Sequence, residues 1–263
     1  MADDITAGGR ILALEGVNNF RDYGDYAVTG GGRVKRGALW RSGQHVAASD
    51  ADLDVIASLG LATIADLRGD SERELNPCRR HASFAGQVLA CVGETATLAS
   101  HIDAGAGVVT EADARGAMCR LYTEMPYRPN LVTVYRRHFA ALADGTAASL
   151  IHCFAGKDRT GVAVALTHHV LGVHPDDAMV DYLLTNEAMV GRNFRGKTGQ
   201  DASRYANMDK AASRALFGVS AEFLDAAFTA MRGSHGSIDA YLGEVLGVGA
   251  AAKERIRAAL IVG

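Results

Sequence analysis

Of the four cysteines in the chain, only Cys153 has an arginine six positions on, Arg159; Phe84, Thr97 and Met125 stand at that spacing after Cys78, Cys91 and Cys119. The full run is His152-Cys153-Phe154-Ala155-Gly156-Lys157-Asp158-Arg159-Thr160-Gly161. It follows the apolar stretch Ala147-Ala148-Ser149-Leu150-Ile151 and leads into a second apolar stretch ending near Leu171. That order reads as strand, tight loop and helix. A loop feeding a helix N-terminus turns several backbone N–H groups toward one spot, and the helix dipole adds to their pull on an anion. Residues Phe154, Ala155, Gly156, Lys157, Asp158 and Arg159 are therefore candidate phosphate-binding residues. Gly156 lets the backbone curl close, and the planar fork of Arg159 can take two phosphate oxygens. The same positive field favours the thiolate of Cys153, the form that attacks phosphorus. The chemistry implied is phosphoryl transfer through a covalent thiophosphate that water then hydrolyses.

A leaving oxygen needs a proton, and a carboxyl in the pocket is the usual donor. Asp158 lies inside the loop. Asp66 ends a neighbouring strand, where α/β sheets open their ligand crevices. Asp158 is the preferred acid and Asp66 the alternative, with an ion pair or cap holding the Arg159 loop as the competing role for Asp66. Lys157 either adds positive charge beside the phosphate or is a solvated lysine. His152 reads as a group that orders the loop by hydrogen bonds. Thr160 can donate to the sulfur or cap the helix. His168 and His169, one helix on, read as packing or surface residues.

These residues need a scaffold. The chain has 263 residues with 48% hydrophobic and 22% charged side chains and a formal net charge of -3, an ordinary globular composition. Nothing in that balance calls for a nucleic-acid partner. The start, Met1-Ala2-Asp3-Asp4-Ile5-Thr6, has neither basic nor apolar leader character, so no secretory signal is expected. The most apolar stretch, Gly161 to Val173, holds two histidines and is too short to span a bilayer. The cysteines show no Cys-x-x-Cys spacing and no zinc pattern, so no metal or other cofactor is expected; they read as reduced thiols of a cytoplasmic protein.

Along the chain, residues 26–28 and 34 onward read as a hairpin around Gly30-Gly31-Gly32, and a strand follows at 38–42. A helix capped by Ser49 or Asp50 carries Leu53, Ile56 and Leu59. A buried strand is expected over 61–67, a helix opened by a Ser71/Glu74 capping box, and a strand over 87–92. Residues 94–117 read as a long connection or a poorly packed helix, and 121–142 as one amphipathic helix. Beyond the loop, helices are expected from 160, from Asp176 and Asp177, and over 220–232, 237–246 and 250–261. Residues 190–215 carry six arginines and lysines among small residues. Alternating strands and helices imply one α/β domain over 1–263 with a mostly parallel sheet flanked by helices.

The loop resembles that of the atypical bacterial tyrosine phosphatases, which carry Lys and Asp before the Arg. The likeness extends to Asn19-Phe20-Arg21-Asp22, Gly37-x-x-Trp40-Arg41-Ser42-Gly43, Asp66-Leu67-Arg68 with Glu72, Asp181-Tyr182-Leu183-Leu184 and Tyr241-Leu242. It implies a tyrosine-phosphatase-like fold, no metal, and phosphotyrosine, phosphoserine/threonine or phosphoinositide substrates. It also implies a helical lid, for which 190–215 is the candidate with a solvated helix pair as the competing reading, and export by some relatives without an ordinary signal. The movable Trp-Pro-Asp acid loop of ordinary tyrosine phosphatases is missing from the sequence. A sulfurtransferase of the rhodanese kind and a non-catalytic phosphate-binding module are the competing readings; the Lys-Asp-Arg-Thr-Gly exit and the intact Cys153 and Arg159 speak against them.

Overall fold

A computed structural model describes residues 5–6, 9–96, 108, 110–145, 147–189 and 209–263. Most of the candidate lid, 190–208, and most of the first half of the expected 94–117 connection lie outside them.

The strands are β1 (Ile5–Thr6), β2 (Ile11–Leu12), β3 (Arg21–Asp22), β4 (Arg33–Val34), β5 (Leu39–Ser42), β6 (Thr63–Asp66), β7 (Gln87–Leu89), β8 (Ser149–His152) and β9 (Ile261–Val262). Seven form one sheet in the order β1-β2-β3-β5-β8-β6-β7. The four from β5 to β7 run parallel, and β3 closes against β5 antiparallel. β8, which leads to Cys153, is central: Ser42 of β5 and Asp66 of β6 both pair with His152. All four residues of β5, β6 and β8 are buried, as expected where helices cover both faces.

Alternation along these strands divides the core in two. Trp40, Ile64 and Leu150 face a smaller cluster with Leu53 and Ile56 of α1 (Asp50–Ser58), while Leu39, Ala65 and Ile151 face the larger one. The larger cluster is built by α3 (Glu111–Glu124), α4 (Pro129–Ala143), α5 (Asp158–Leu171), α6 (Pro175–Ala188), α7 (Lys210–Phe217), α8 (Ala221–His235), α9 (Ile238–Glu244) and α10 (Ala250–Leu260). α5 is buried along its whole length except at His169. That all-round burial is why its sequence is apolar on every face.

Several expectations need correction. The single helix expected over 121–142 is two: α3 ends at Glu124, a 3₁₀ turn spans Met125–Tyr127, and α4 starts at Pro129. Pro126 and Pro129 cannot donate to a preceding turn and restrict the residue before them, so the helix breaks there. α3 begins at Glu111, so the end of the stretch read as a connection or a poorly packed helix is helical, with Thr110 and Asp113 as its capping box. The Ser71/Glu74 box does not form. α2 (Asp70–Leu75) instead starts after Gly69, whose N–H reaches Glu72 Oε2 at 3.1 Å, and Ser71 binds Glu94. The strand at 87–92 ends at Leu89. The hairpin around Gly30–Gly32 forms, with the Val34 N–H on Tyr26 O at 2.9 Å and the Val28 N–H on Gly32 O at 3.2 Å, and β4 also pairs with the C-terminal β9. The cap on α1 is Ser49, with Asp52 completing the box. Among the described residues no helix is long and apolar enough to cross a membrane.

Candidate active site

The Cys153 loop leaves β8 and enters α5, whose first residue is Asp158. Its carbonyl groups are tied outward one by one. Cys153 O accepts from the His152 ring at 3.2 Å and Phe154 O from the Gln44 N–H at 2.9 Å. Ala155 O and Gly156 O accept from the Asn19 amide at 3.3 and 2.8 Å. Gly156 O also accepts from Arg41 at 2.9 Å, and Lys157 O from the Gly161 N–H at 2.8 Å. In a planar trans peptide the N–H points opposite to the carbonyl, so five outward carbonyls turn five amides, from Phe154 to Asp158, toward the loop's interior. That is an anion cradle made by the backbone.

The sequence motifs outside the loop do this tying. Asn19 sits at φ 58°, a conformation asparagine tolerates better than most residues, and so turns its amide onto the loop. Arg21 and Arg41 converge on Asp181 from α6. Arg41 Nη1 lies 2.7 Å and Arg21 Nε 3.3 Å from its carboxylate, and all three side chains are fully buried. Asp22 accepts the Gly24 and Gly37 N–H groups at 2.7 and 2.6 Å and holds the turns before β5. Burial works against charge on Asp181, but the two guanidinium groups hold it well below the carboxylate range. Burial beside Arg41 lowers Arg21 to about 10.

Gly156 is required twice over. Its φ is +68°, and a Cβ there would lie 2.2 Å from Ser42 O. Gly156→Ala is expected to destabilise the protein by at least about 2 kcal/mol. A urea-denaturation curve within about 0.5 kcal/mol of wild type would refute the steric argument.

Arg159 is held by Glu72 of α2. Its two terminal nitrogens meet Glu72 Oε2 at 2.5 Å and Oε1 at 2.8 Å, and Nη1 also reaches Thr95 Oγ1 at 2.9 Å and Leu67 O at 3.2 Å. Burial opposes its charge, but Glu72, then Cys153 and Asp158, raise it above its ordinary range. Its Nε and the Thr160 hydroxyl are buried without a partner among the described residues. α5 starts at Asp158 after Lys157, so Thr160 does not cap it.

The two candidate acids sit differently. Asp66 is fully buried and gripped on both oxygens by Arg68, at 2.9 and 2.8 Å, with His152 Nε2 at 3.7 Å. Burial alone would raise it, but these neighbours hold it well below the carboxylate range. Its ion pair is with Arg68 and not with Arg159. Asp66, Cys78 and His152 bring donor atoms within 4.8 Å of one another, yet Arg68 already balances the carboxylate. His152 stacks on His45 at 5.3 Å, and burial keeps both rings below their ordinary pKa and neutral. Asp158 is 3% exposed and accepts from the Tyr122 hydroxyl at 2.8 Å through Oδ1.

Lys157 is not a solvated lysine. It is 1% exposed, and its ammonium donates to Leu216 O at 2.7 Å and Gly218 O at 3.0 Å, at the C-terminus of α7, with Asp158 Oδ1 3.3 Å away. A cation on terminal helix carbonyls is favourable in itself. His168 is buried on Tyr23 O, and His169 faces Asp239. Glu72, Asn19 and the Arg21–Asp181–Arg41 group were not singled out as site residues by sequence reasoning, although each lies in a motif quoted for the resemblance. A buried charge leaves no periodic signal of its own.

The chain matches the model of the tyrosine phosphatase family over residues 12–262. It is 34% identical over 247 residues, 92% of this chain and 86% of the relative, to a putative tyrosine-protein phosphatase of Cupriavidus necator. It is 27% identical over 281 residues, 95% of this chain and 99% of the relative, to the triple specificity protein phosphatase PtpB of Mycobacterium tuberculosis. The cradle, its arginine and these similarities agree: the chain belongs to the tyrosine phosphatase family.

Proposed function

We propose that this phosphatase hydrolyses phosphotyrosine through a cysteinyl-phosphate at Cys153, and that phosphoserine/threonine and phosphoinositides fall within its range. The sulfur attacks phosphorus in line with the ester oxygen. As the S–P bond forms and the P–O bond breaks, Asp158 gives its proton to the departing oxygen. Water then attacks phosphorus, the S–P bond breaks, and the proton returns to Asp158. The inward amides and Arg159 stabilise the equatorial oxygens in both steps. His152 orders the loop, and Thr160 donates to the departing sulfur. The loop with every carbonyl from Cys153 to Lys157 bonded outward is the observation that carries this reading.

Asp158 is preferred over Asp66 because Arg68 leaves Asp66 no proton to give near neutral pH. The family match across 12–262 supports a single phosphatase domain. Four free thiols support a reducing, cytoplasmic setting. A wider substrate range follows from Lys157, whose ammonium a second phosphate can draw away from Leu216 and Gly218, and is supported by the name of the mycobacterial relative.

Acid quenching with 32P-labelled phosphotyrosine peptide should trap label on Cys153; label elsewhere, or none during turnover, counts against the mechanism. A panel of phosphopeptides and phosphoinositides on wild type and Lys157→Ala tests the range. Selective loss of phosphoinositide turnover in the variant is expected, and equal loss on all substrates would overturn the role of Lys157.

A further inference from the structure

Two buried tyrosines, Tyr122 and Tyr182, form a chain of hydroxyls that ends on one carboxylate, that of Asp158. Asp158 Oδ1 accepts from the Tyr122 hydroxyl at 2.8 Å, and Tyr122 Oη accepts from the Tyr182 hydroxyl at 2.7 Å. Tyr122 lies on α3, Tyr182 on α6 and Asp158 on α5, so three helices fix one side chain. Both phenols are at most 1% exposed, and burial first of all raises them well above their ordinary pKa, so both remain donors.

The rings are locked as well as the hydroxyls. Tyr122 meets Tyr182 edge-on at 6.3 Å and Phe223 at 5.9 Å. The Tyr182 ring lies against the backbone of α5 at Gly161, where a Cβ would come within 2.8 and 2.9 Å of its carbons. Gly161 is what lets Tyr182 reach Tyr122. Next to it, Asp181 is pinned by Arg21 and Arg41, which sets the position of α6 on the loop.

The direction of this chain has a chemical consequence. Among the described residues the groups facing Oδ1, the Tyr122 hydroxyl and the Lys157 ammonium at 3.3 Å, are both donors, so Oδ1 accepts from them. When Asp158 carries its proton, that proton is confined to Oδ2. We infer that Tyr122 and Tyr182 are positioning residues that assign the transferable proton to Asp158 Oδ2 and hold that oxygen in place through both steps. This rests on the reading of Asp158 as the general acid. A carboxyl held in one rotamer needs no turn between giving its proton to the ester oxygen and taking one from water. Displacement of such a group by about 1 Å can cost about a hundredfold.

The test compares kcat/KM for phenyl phosphate, whose phenolate leaves badly unless protonated, with that for p-nitrophenyl phosphate, whose leaving group needs no acid. In Asp158→Asn the phenyl to nitrophenyl ratio should fall about a hundredfold, the lower end of general-acid contributions. In Tyr122→Phe it should fall about tenfold, and in Tyr182→Phe by a smaller factor in the same direction. A purely structural tyrosine would lower both rates together and leave the ratio unmoved. An unchanged ratio in Tyr122→Phe beside a reduced one in Asp158→Asn overturns the relay and leaves the acid standing. An unchanged ratio in Asp158→Asn overturns the acid assignment on which the relay rests. If Tyr122→Phe does not fold by thermal melting, Tyr182→Phe decides the matter by the same ratio.

Discussion

Cys153→Ser is expected to lower phosphate release by at least about 10⁴-fold while a phosphotyrosine peptide still binds within a few-fold of wild type. The substitution exchanges a sulfur for a smaller oxygen at a site only 2% exposed, so it introduces no clash. What it removes is the nucleophile, since a neutral hydroxyl attacks phosphorus far more slowly than a thiolate. What it leaves is the cradle. The outward carbonyls are held by Asn19, Arg41, Gln44 and His152, and Arg159 is held by Glu72, none of which depends on the sulfur. Binding and chemistry should therefore separate. Phosphate release and fluorescence anisotropy on the same preparation check both halves. An undiminished rate would rule out Cys153 as nucleophile, and loss of binding alongside the rate would mean that the sulfur helps to shape the loop.

Asp181→Asn should have the largest effect on stability, a loss of about 3–5 kcal/mol near neutral pH. The carboxylate balances two guanidinium groups, all three side chains fully buried. Asparagine keeps the shape and removes the charge, which leaves Arg21 and Arg41 facing each other without an anion. The pH dependence follows in sign. Asp181 titrates well below its ordinary value in the folded protein, since the arginines outweigh burial. Its contribution is complete above the unfolded carboxylate pKa of about 4 and fades as pH falls toward the folded value. The gap between wild type and variant should thus narrow on acidification below about pH 4. Urea denaturation across that range measures it; a gap under about 1 kcal/mol at neutral pH would show that the arginines find other partners. Because Arg41 also holds Gly156 O, the variant should lose activity beyond its loss of folded protein.

The strand–loop–helix around Cys153 and the α/β class were legible in the chain. Cys153, Gly156 and Arg159 lie within one seven-residue span, and a strand and a helix flank it, so local geometry was enough to place them. The covered parallel strands were plain as short, mostly apolar runs, because both of their faces are buried, although each ends on polar residues of the site. Helix boundaries were less so. The helical period of 121–142 continues through Pro126 and Pro129, and only the proline geometry says that it breaks.

Which carboxyl could act as the acid was not a local matter. Asp66 and Asp158 are alike in sequence, each one or two residues from an arginine. The structure separates them: Arg68 folds back on both oxygens of Asp66, while Asp158 meets a phenol from α3, 36 residues away. Likewise Glu72 had no local reason to face Arg159, 87 positions on, and Lys157 none to end on the carbonyls of α7. By itself the sequence determined what depends on neighbours along the chain: a cysteine in a tight turn between a strand and a helix, and the elements on either side of it. Only the tertiary structure decided which buried charge answers which, because Coulomb pairing and hydrogen bonding act through space between residues that no spacing rule connects.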